Sequence, residues 1–168
     1  GKYEFQTLQN DKGISSELQI YETHEPLTTH LIINELKEEM VCLDLGSNIG
    51  YYAVIESNIV GKSGKIFAVE PSPVNYSLLK LNLENQKIGN FLVFNIAIGD
   101  KNEAMEFIVS EKSNWSKIRI GDEKINPEDK IIKIPVKTLD SFVDENNIKK
   151  IDIVRMDVEG FEYNILLG

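Results

Sequence analysis

The feature that most constrains the fold is an apolar run that ends in a glycine loop. Residues 40–45 are apolar apart from Asp44, and residues 46–50 read G-S-N-I-G. A helical pattern then covers residues 49–59, and Gly61 follows its end. A short apolar run that passes through glycines into a helix is typical of a buried strand in an α/β sheet. The sequence therefore predicts a strand–loop–helix unit whose helix N-terminus faces a bound ligand.

Further strands and helices alternate on both sides of this unit. Strands are predicted at 65–69 and 91–98, with a helix at 73–86 whose apolar stripe is Val74, Leu78 and Leu81. Upstream, residues 1–24 are polar and aperiodic with one candidate strand at 18–21, and a helical spacing begins at Pro26 with Leu27, Leu31, Ile32 and Leu36. Such alternation predicts a parallel α/β sheet.

The second half of the chain breaks this rhythm. Short strands are predicted at 104–109, 116–120 and 131–136, followed by a helix at 139–146, a strand at 151–156 and a helix from 161. The predicted fold class is α/β and Rossmann-like, with a mostly parallel sheet, helices on both faces and a β-rich insert at about 103–137. Residues 1–39 form an N-terminal segment and helix that lead into a domain at 40–168.

Composition sets the class of protein. The 168 residues fit one domain, and 42% of them are hydrophobic, which is enough for a packed core. The net charge of −9 makes nucleic acid a poor partner, because an acidic chain gains nothing from phosphate contacts. The single cysteine, Cys42, lies in an apolar run and is predicted to be a buried filler, so no internal disulfide forms.

Targeting signals are not evident in the sequence. The N-terminus has no apolar stretch of signal-peptide length, and no run approaches the ~20 apolar residues of a membrane span. We therefore expect a cytoplasmic protein. The start at Gly1 indicates a trimmed product or an excerpt of a longer chain.

The chemistry of the glycine loop points away from a dinucleotide. The G-x-G-x-x-G fingerprint requires a glycine where this chain has Asn48. Asp44, just before the glycines, would repel a pyrophosphate but attracts a cation. S-adenosylmethionine carries an ammonium and a sulfonium, so it fits where NAD does not. Glu70 ends the next strand, 20 residues beyond Gly50, where an acid can accept hydrogen bonds from both ribose hydroxyls.

Four segments in the same order resemble the FkbM-type family of class I S-adenosylmethionine-dependent methyltransferases. They are V-C-L-D-L-G-S-N-I-G-Y-Y-A at 41–53, the segment at 65–85 that contains V-E-P-S-P, N-I-A-I-G-D at 95–100, and I-D-I-V-R-M-D-V-E-G-F-E at 151–162. The resemblance implies the class I methyltransferase fold. Because a full class I sheet has three further strands, it also implies either that the sequence is an excerpt of a longer chain or that the domain is truncated after residue 168.

The resemblance also assigns roles to residues. Asp44, Gly46, Asn48 and Gly50 would surround the methionine part of the cofactor, and Ser47 stands in the same loop where the family often has Ala. Glu70 would bind the ribose. Pro71 and Ser72 would lie beside the adenine, with Asn95 and Ala97 on its other side. Asp157 would face the transferring methyl.

Methyl transfer to a hydroxyl benefits from a general base. Asp157 and Glu159 are the predicted catalytic residues, although Asp157 could simply cap a helix and Glu159 could be a solvated acid. A histidine base from His24 or His30 is an alternative, but lone histidines in a polar segment are more often plain surface residues.

Other polar and aromatic residues give weaker indications. Thr28 is a weak candidate for the cofactor carboxylate. No tight metal-ligand spacing is present, and Asp157 leaves a divalent ion open. Trp115 is either a packing lid over the sheet edge or part of an acceptor pocket. Asn126-Pro127-Glu128 is predicted to be a turn, not an amino-methyltransferase motif, which favours an oxygen acceptor.

Three functions remain open from the sequence. The first is O-methylation of a small-molecule, carbohydrate or lipid-linked hydroxyl. The second is a non-catalytic binding module with the same fold, and the third, disfavoured by Asn48 and Asp44, is an NAD-dependent oxidoreductase. The acceptor and the oligomeric state do not follow from the sequence.

Overall fold

The computed structural model describes residues 3–110, 112–121 and 124–168. Gly1, where the sequence starts, and positions 111, 122 and 123 of the predicted insert lie outside these ranges. Within the described ranges, no helix combines the length and the apolar character needed to cross a bilayer.

The described elements follow the predicted alternation. The helices are α1 (Ile14–Tyr21), α2 (Pro26–Glu35), α3 (Tyr51–Val60), α4 (Pro73–Asn85), α5 (Leu139–Glu145) and α6 (Glu162–Ile165). The strands are β1 (Val41–Leu45), β2 (Lys65–Val69), β3 (Phe91–Phe94), β4 (Ala97–Gly99), β5 (Glu103–Val109), β6 (Lys117–Ile118), β7 (Lys130–Thr138) and β8 (Ile153–Met156). A short 3-10 helix spans Ser113–Trp115.

The first sheet is parallel, and the predicted site residues lie at the carboxyl ends of its strands. Its strand order is β3-β2-β1-β8, and every pair is parallel. Leu45 pairs with Val69 on one side and with Met156 on the other, so β1, β2 and β8 end level with one another. The predicted α/β fold is confirmed, with the three strand tips side by side.

The predicted single strand at 91–98 is wrong. β3 pairs with β2 in the first sheet, whereas β4 pairs with β7 in a second sheet of order β4-β7-β5-β6. The chain changes sheets at Asn95, whose amide donates to the carbonyl oxygens of Glu70 and Pro71 at 2.9 Å each. The sequence shows one apolar run because β4 is buried and the residues of β3 other than Leu92 are partly buried.

Two cores lie on the two faces of the parallel sheet. On one face, Cys42, Ile66 and Ala68 pack with the apolar residues of α1 to α4. On the other face, Leu43, Leu45, Phe67 and Val69 pack with the second sheet and with Phe142 of α5 and Ile165 of α6. Cys42 is fully buried, as predicted.

The candidate strand at 18–21 is also wrong, because these residues belong to α1. The helix begins where the Asp11 carboxylate accepts the backbone N–H groups of Gly13 and Ser15, at 2.9 and 3.1 Å. Ile14 and Leu18, four residues apart, form its buried face. The same Asp11 carboxylate reaches the second half of the chain and accepts the backbone N–H and the hydroxyl of Ser113, at 3.0 and 2.8 Å.

Of the predicted apolar stripe of α4, only Leu78 packs against the core. Val74 and Leu81 are largely exposed, whereas Leu79 and Leu83 are fully buried. The buried face also includes Asn75 and Asn82, which pattern reading assigns to the solvent side. Asn82 tolerates burial because its amide donates to the carbonyl oxygens of Ile49 and Gln6, at 2.8 and 3.0 Å.

We predict that Leu79→Ala lowers the free energy of unfolding by about 2–5 kcal/mol, because it leaves a cavity beside the glycine loop. Leu81→Ala is the matched control on the same helix and should cost under about 1 kcal/mol, since 41% of Leu81 is already exposed. Urea denaturation measures both. Equal losses for the two variants would mean that Leu81 contributes as much to the core as Leu79, as the predicted stripe requires.

Candidate cofactor and acceptor site

The glycine loop is tied to the strands on both sides. The backbone N–H groups of Gly46 and Ser47 both donate to the Val69 carbonyl oxygen at 3.0 Å. Gly46 has φ +81°, and a Cβ there would overlap the carbonyl oxygen of Asp157. Only glycine therefore fits between the tips of β2 and β8.

The loop then turns into α3 with its polar groups satisfied locally. Asn48 has φ +50°, and its side-chain oxygen accepts the N–H of Ile49 at 2.8 Å. Gly50, at φ +91°, starts the helix where a Cβ would press on Leu79. The Ser47 hydroxyl donates to the Asp44 carbonyl oxygen at 2.9 Å. These bonds fix the backbone that would approach a ligand.

Glu70 lies at the tip of β2 with its carboxylate held by backbone. One oxygen accepts the N–H of Asn48 and the other accepts that of Ser72, both at 2.8 Å. Burial raises the pKa of Glu70 to about 7, against the opposing effect of the hydrogen bonds from Ser72 and Asn48. Each carboxylate oxygen keeps lone-pair capacity for a further donor.

Arg155 is the site residue that sequence reasoning missed. One guanidinium nitrogen donates to Asp44 at 2.9 Å and the other to Asp157 at 2.8 Å, and the group lies 4.1 Å above the Tyr52 ring. Burial alone would lower the pKa of Arg155, but the charges of Asp44 and Asp157 hold it above its ordinary value. The signal in the sequence was one cationic residue within the apolar run at 151–156. In the structure, Arg155 pairs in register with Asp44.

A second acid is buried beneath this ion pair. Glu56 of α3 is fully buried, and neither of its carboxylate oxygens has a hydrogen-bond partner among the described residues. Burial, and then the charge of Asp44, raises the pKa of Glu56 well above its ordinary value, although Arg155 opposes the shift. Burial without a hydrogen-bond partner therefore favours the protonated, neutral form of Glu56.

Two cavities meet above the strand tips. The first holds Glu70 together with a largely apolar wall made by Leu45, Val69, Pro71, Ala97, Ile98, Phe107, Ile118 and Phe161. The second is polar and is lined in part by His24, Glu25, Tyr52 and Arg155. Both cavities share Gly46, Asn48, Asn114, Asp157 and Glu159.

The predicted site residues are distributed unequally between these cavities and their support. Gly46, Asn48, Glu70, Pro71, Ala97, Asp157 and Glu159 line the first cavity, and Ser47 lines the second. Asp44 and Ser72 are buried and hold Arg155 and Glu70 in place. The Asn95 amide braces the loop after β2 from behind. Asp44, Ser72 and Asn95 therefore support the residues that line the two cavities and do not line either cavity themselves.

The weaker candidates lie apart from one another. His30 is exposed on α2 and contacts Asn34 at 2.9 Å. The ring of Trp115 is half exposed with the Lys112 ammonium 3.5 Å from its centre, so it is not a buried lid. The predicted turn at residues 126–129 is present, with a backbone bond from Asp129 to Asn126 at 3.1 Å.

We predict that Arg155→Met lowers the free energy of unfolding by about 3–5 kcal/mol, because it leaves the buried Asp44 charge unpaired. Arg119→Met is the matched control, since its partner Glu106 is 45% exposed in the side chain, and it should cost under about 1 kcal/mol. Chemical denaturation at neutral pH measures the difference. Similar losses in both variants would mean that Asp44 does not need its partner.

Comparison with known proteins identifies the family. The model for the "Methyltransferase FkbM domain" matches residues 44–168. A hexuronic acid methyltransferase of Haloferax volcanii is 28% identical over 82% of this chain and 53% of its own length. A protein named methyltransferase 1 from Beauveria bassiana is 21% identical over 78% of this chain and 59% of its own.

This chain thus spans only a little over half the length of these curated relatives. Among solved structures, an S-adenosylmethionine-dependent O-methyltransferase of Thermotoga maritima superposes with a TM-score of 0.40 at 14% identity, covering 71% of this chain and 69% of that one. That similarity is too weak to carry an argument. The family match and the parallel sheet are sufficient: the chain belongs to the FkbM methyltransferase domain family and has its class I α/β fold.

Proposed function

We propose that this chain binds S-adenosylmethionine across the two cavities and transfers its methyl group to a hydroxyl of a small-molecule acceptor, namely a carbohydrate or a lipid-linked sugar. The observation that carries the proposal is Glu70. It is a buried carboxylate, aligned by the N–H groups of Asn48 and Ser72, at the tip of the strand beside the glycine loop.

The first cavity suits an adenosine group. The Glu70 carboxylate has free lone pairs for the two adjacent ribose hydroxyls, and an apolar slot formed by Pro71, Ala97 and Ile98 lies in the same cavity. The flat faces of an adenine ring pack against such apolar side chains, while its polar nitrogens lie on the ring edge. A pyrophosphate would bring negative charge beside Glu70 and Asp157, which argues against NAD.

The glycine loop and the carboxylates around it suit the methionine end. Gly46 and Asn48 line both cavities, so a ligand that begins at Glu70 passes over this loop. Asp157 faces both cavities and retains one oxygen that is not bonded to Arg155. We place the cationic methionine part between the loop and Asp157. Asp44 is fully buried and paired with Arg155, so its proposed role is to hold that side chain in place.

The second cavity is the proposed acceptor site. Bound cofactor supplies a methyl group on a positively charged sulfur, and the chain must hold the acceptor oxygen in line with it. Glu25, Asp157 and Glu159 line this cavity and accept hydrogen bonds, as sugar hydroxyls require. The relative from Haloferax volcanii is named for a hexuronic acid, which supports a carbohydrate acceptor.

We predict that Glu70→Ala weakens S-adenosylmethionine binding at least about ten-fold, because two charge-assisted hydrogen bonds to the ribose are lost. Glu103→Ala, on the exposed start of β5, is the control and should leave the affinity unchanged. Isothermal calorimetry measures both, with NAD as a second ligand. Unchanged affinity in Glu70→Ala, or tighter binding of NAD to the wild type, would refute the proposed site.

The pKa of Glu70 also makes binding depend on pH. Because burial raises this pKa to about 7, the carboxyl is mostly protonated below that pH and ionised above it. Only the ionised form accepts from both ribose hydroxyls, so the affinity should rise by up to about ten-fold per unit as the pH increases through 7. Glu70→Gln should remove this rise. A pH dependence that persists in Glu70→Gln belongs to the ligand and would contradict the assignment.

A further inference from the structure

We propose that His24 is the general base that takes the proton from the acceptor hydroxyl, and that Glu17 orients it. The inference rests on the proposed function and adds a catalytic residue to it. It starts from a short contact between α1 and the segment that joins it to α2: Nδ1 of His24, in that segment, lies 2.6 Å from Oε2 of Glu17, in α1.

This contact determines which ring nitrogen is free. A carboxylate only accepts hydrogen bonds, so the proton of the neutral imidazole must sit on Nδ1 and point at Glu17. Nε2 is then an unprotonated acceptor. Its nearest ion-pair partner, Glu25 Oε1, lies 4.0 Å away, which is too far for a hydrogen bond.

The ring is held rigidly in this orientation. Its side chain is only 11% exposed, and it packs edge-on against Tyr51 with the ring centres 5.8 Å apart. The Thr29 hydroxyl donates to the His24 carbonyl oxygen at 2.6 Å. The next residue, Glu25, has φ +40° and precedes Pro26, a costly conformation that persists only because the surroundings enforce it.

The imidazole lies where the acceptor would bind. His24 lines the second cavity, which shares the glycine loop with the cofactor cavity. The titratable and charged groups that pack on His24 or line this cavity with it are Glu17, Glu25, Tyr51, Tyr52, Arg155, Asp157 and Glu159. Tyr52 donates to Glu25 at 2.9 Å and so keeps that carboxylate on the cavity wall.

The two predicted carboxylate bases are less well prepared for this step. Asp157 has one oxygen bonded to Arg155, so only its other oxygen is left to take a proton. Glu159 is exposed and stands in a left-handed backbone conformation. Only His24 combines a buried ring with an orienting partner, the arrangement that activates a base in acyl-transfer and related sites. Asp157 and Glu159 then bind the other acceptor hydroxyls.

The proposed step balances as a single displacement. The acceptor oxygen forms a bond to the methyl carbon as its own proton moves to His24 Nε2. The carbon–sulfur bond breaks and its electron pair stays on sulfur, which becomes a neutral thioether. The positive charge passes from sulfur to the imidazolium, where the Glu17 carboxylate stabilises it.

The test compares His24→Ala with His30→Ala in the same chain. The readouts are S-adenosylmethionine affinity by calorimetry and release of S-adenosylhomocysteine with methyl β-D-glucopyranoside as the acceptor, a neutral sugar whose only nucleophiles are hydroxyls. We expect His24→Ala to keep its affinity within about two-fold and to lose turnover at least about 100-fold, with partial rescue by added imidazole. Glu17→Gln should lose about ten-fold. His30→Ala, exposed on α2, should match the wild type.

Imidazole rescue separates a base from a structural residue, because free imidazole restores a proton acceptor and not a packing contact. Turnover of His24→Ala at the wild-type rate, or loss that imidazole does not reverse, would overturn the proposal. If the wild type binds no S-adenosylmethionine, the proposed function itself fails. If it binds but does not methylate the glucopyranoside, the substrate class fails. ¹⁵N NMR of the ring then decides on His24: a proton on Nε2 at neutral pH overturns the base, and one on Nδ1 supports it.

Discussion

The guanidinium of Arg155 between Asp44 and Asp157 is the interaction on which the site depends. It joins β1 to the segment after β8 at the level where both strands end, and its charge compensates a carboxylate with no exposed surface. Gly46 packs directly against the Asp157 carbonyl oxygen in the same place, so the loop and the segment after β8 are in close contact. The two strand tips therefore keep one relative position, and the cavities above them keep their shape.

The site is rich in acid and has few cations within it. Asp44, Glu56 and Glu70 are all buried near one another. The fold tolerates them because Arg155 compensates the charge of Asp44, and because burial raises the pKa of Glu56 and so favours its neutral form. A ligand with positive charge lowers the cost of ionising Glu70, whereas an anionic ligand raises it. The buried acids thus favour a sulfonium over a pyrophosphate, independently of any single hydrogen bond.

The part of the fold that could be predicted is the part encoded by near neighbours. The loop after β1, the position of Glu70 and the parallel sheet follow from short periodic patterns, because each element buries its own residues locally. The split between β3 and β4, the rotated face of α4 and the partner of Asp44 all depend on contacts between distant segments. Arg155 lies 111 positions from Asp44, and no local pattern connects them. His24 was interpreted as a surface histidine because residues 1–24 show no helical pattern, so the helix that carries its partner, Glu17, was not predicted.

The Asp11 carboxylate has a consequence for where the domain begins. The family match starts at residue 44, yet Asp11 caps α1 and also holds Ser113 in the 3-10 helix that borders the first cavity. The same buried core as that of β1 also contains residues that precede the matched region, namely Ile14, Leu18, Ile32 and Leu36. The region that the family model matches is thus smaller than the unit that packs together. A clone that begins at residue 44 would expose this core and would lose the Asp11 contact that holds Ser113 at the border of the first cavity.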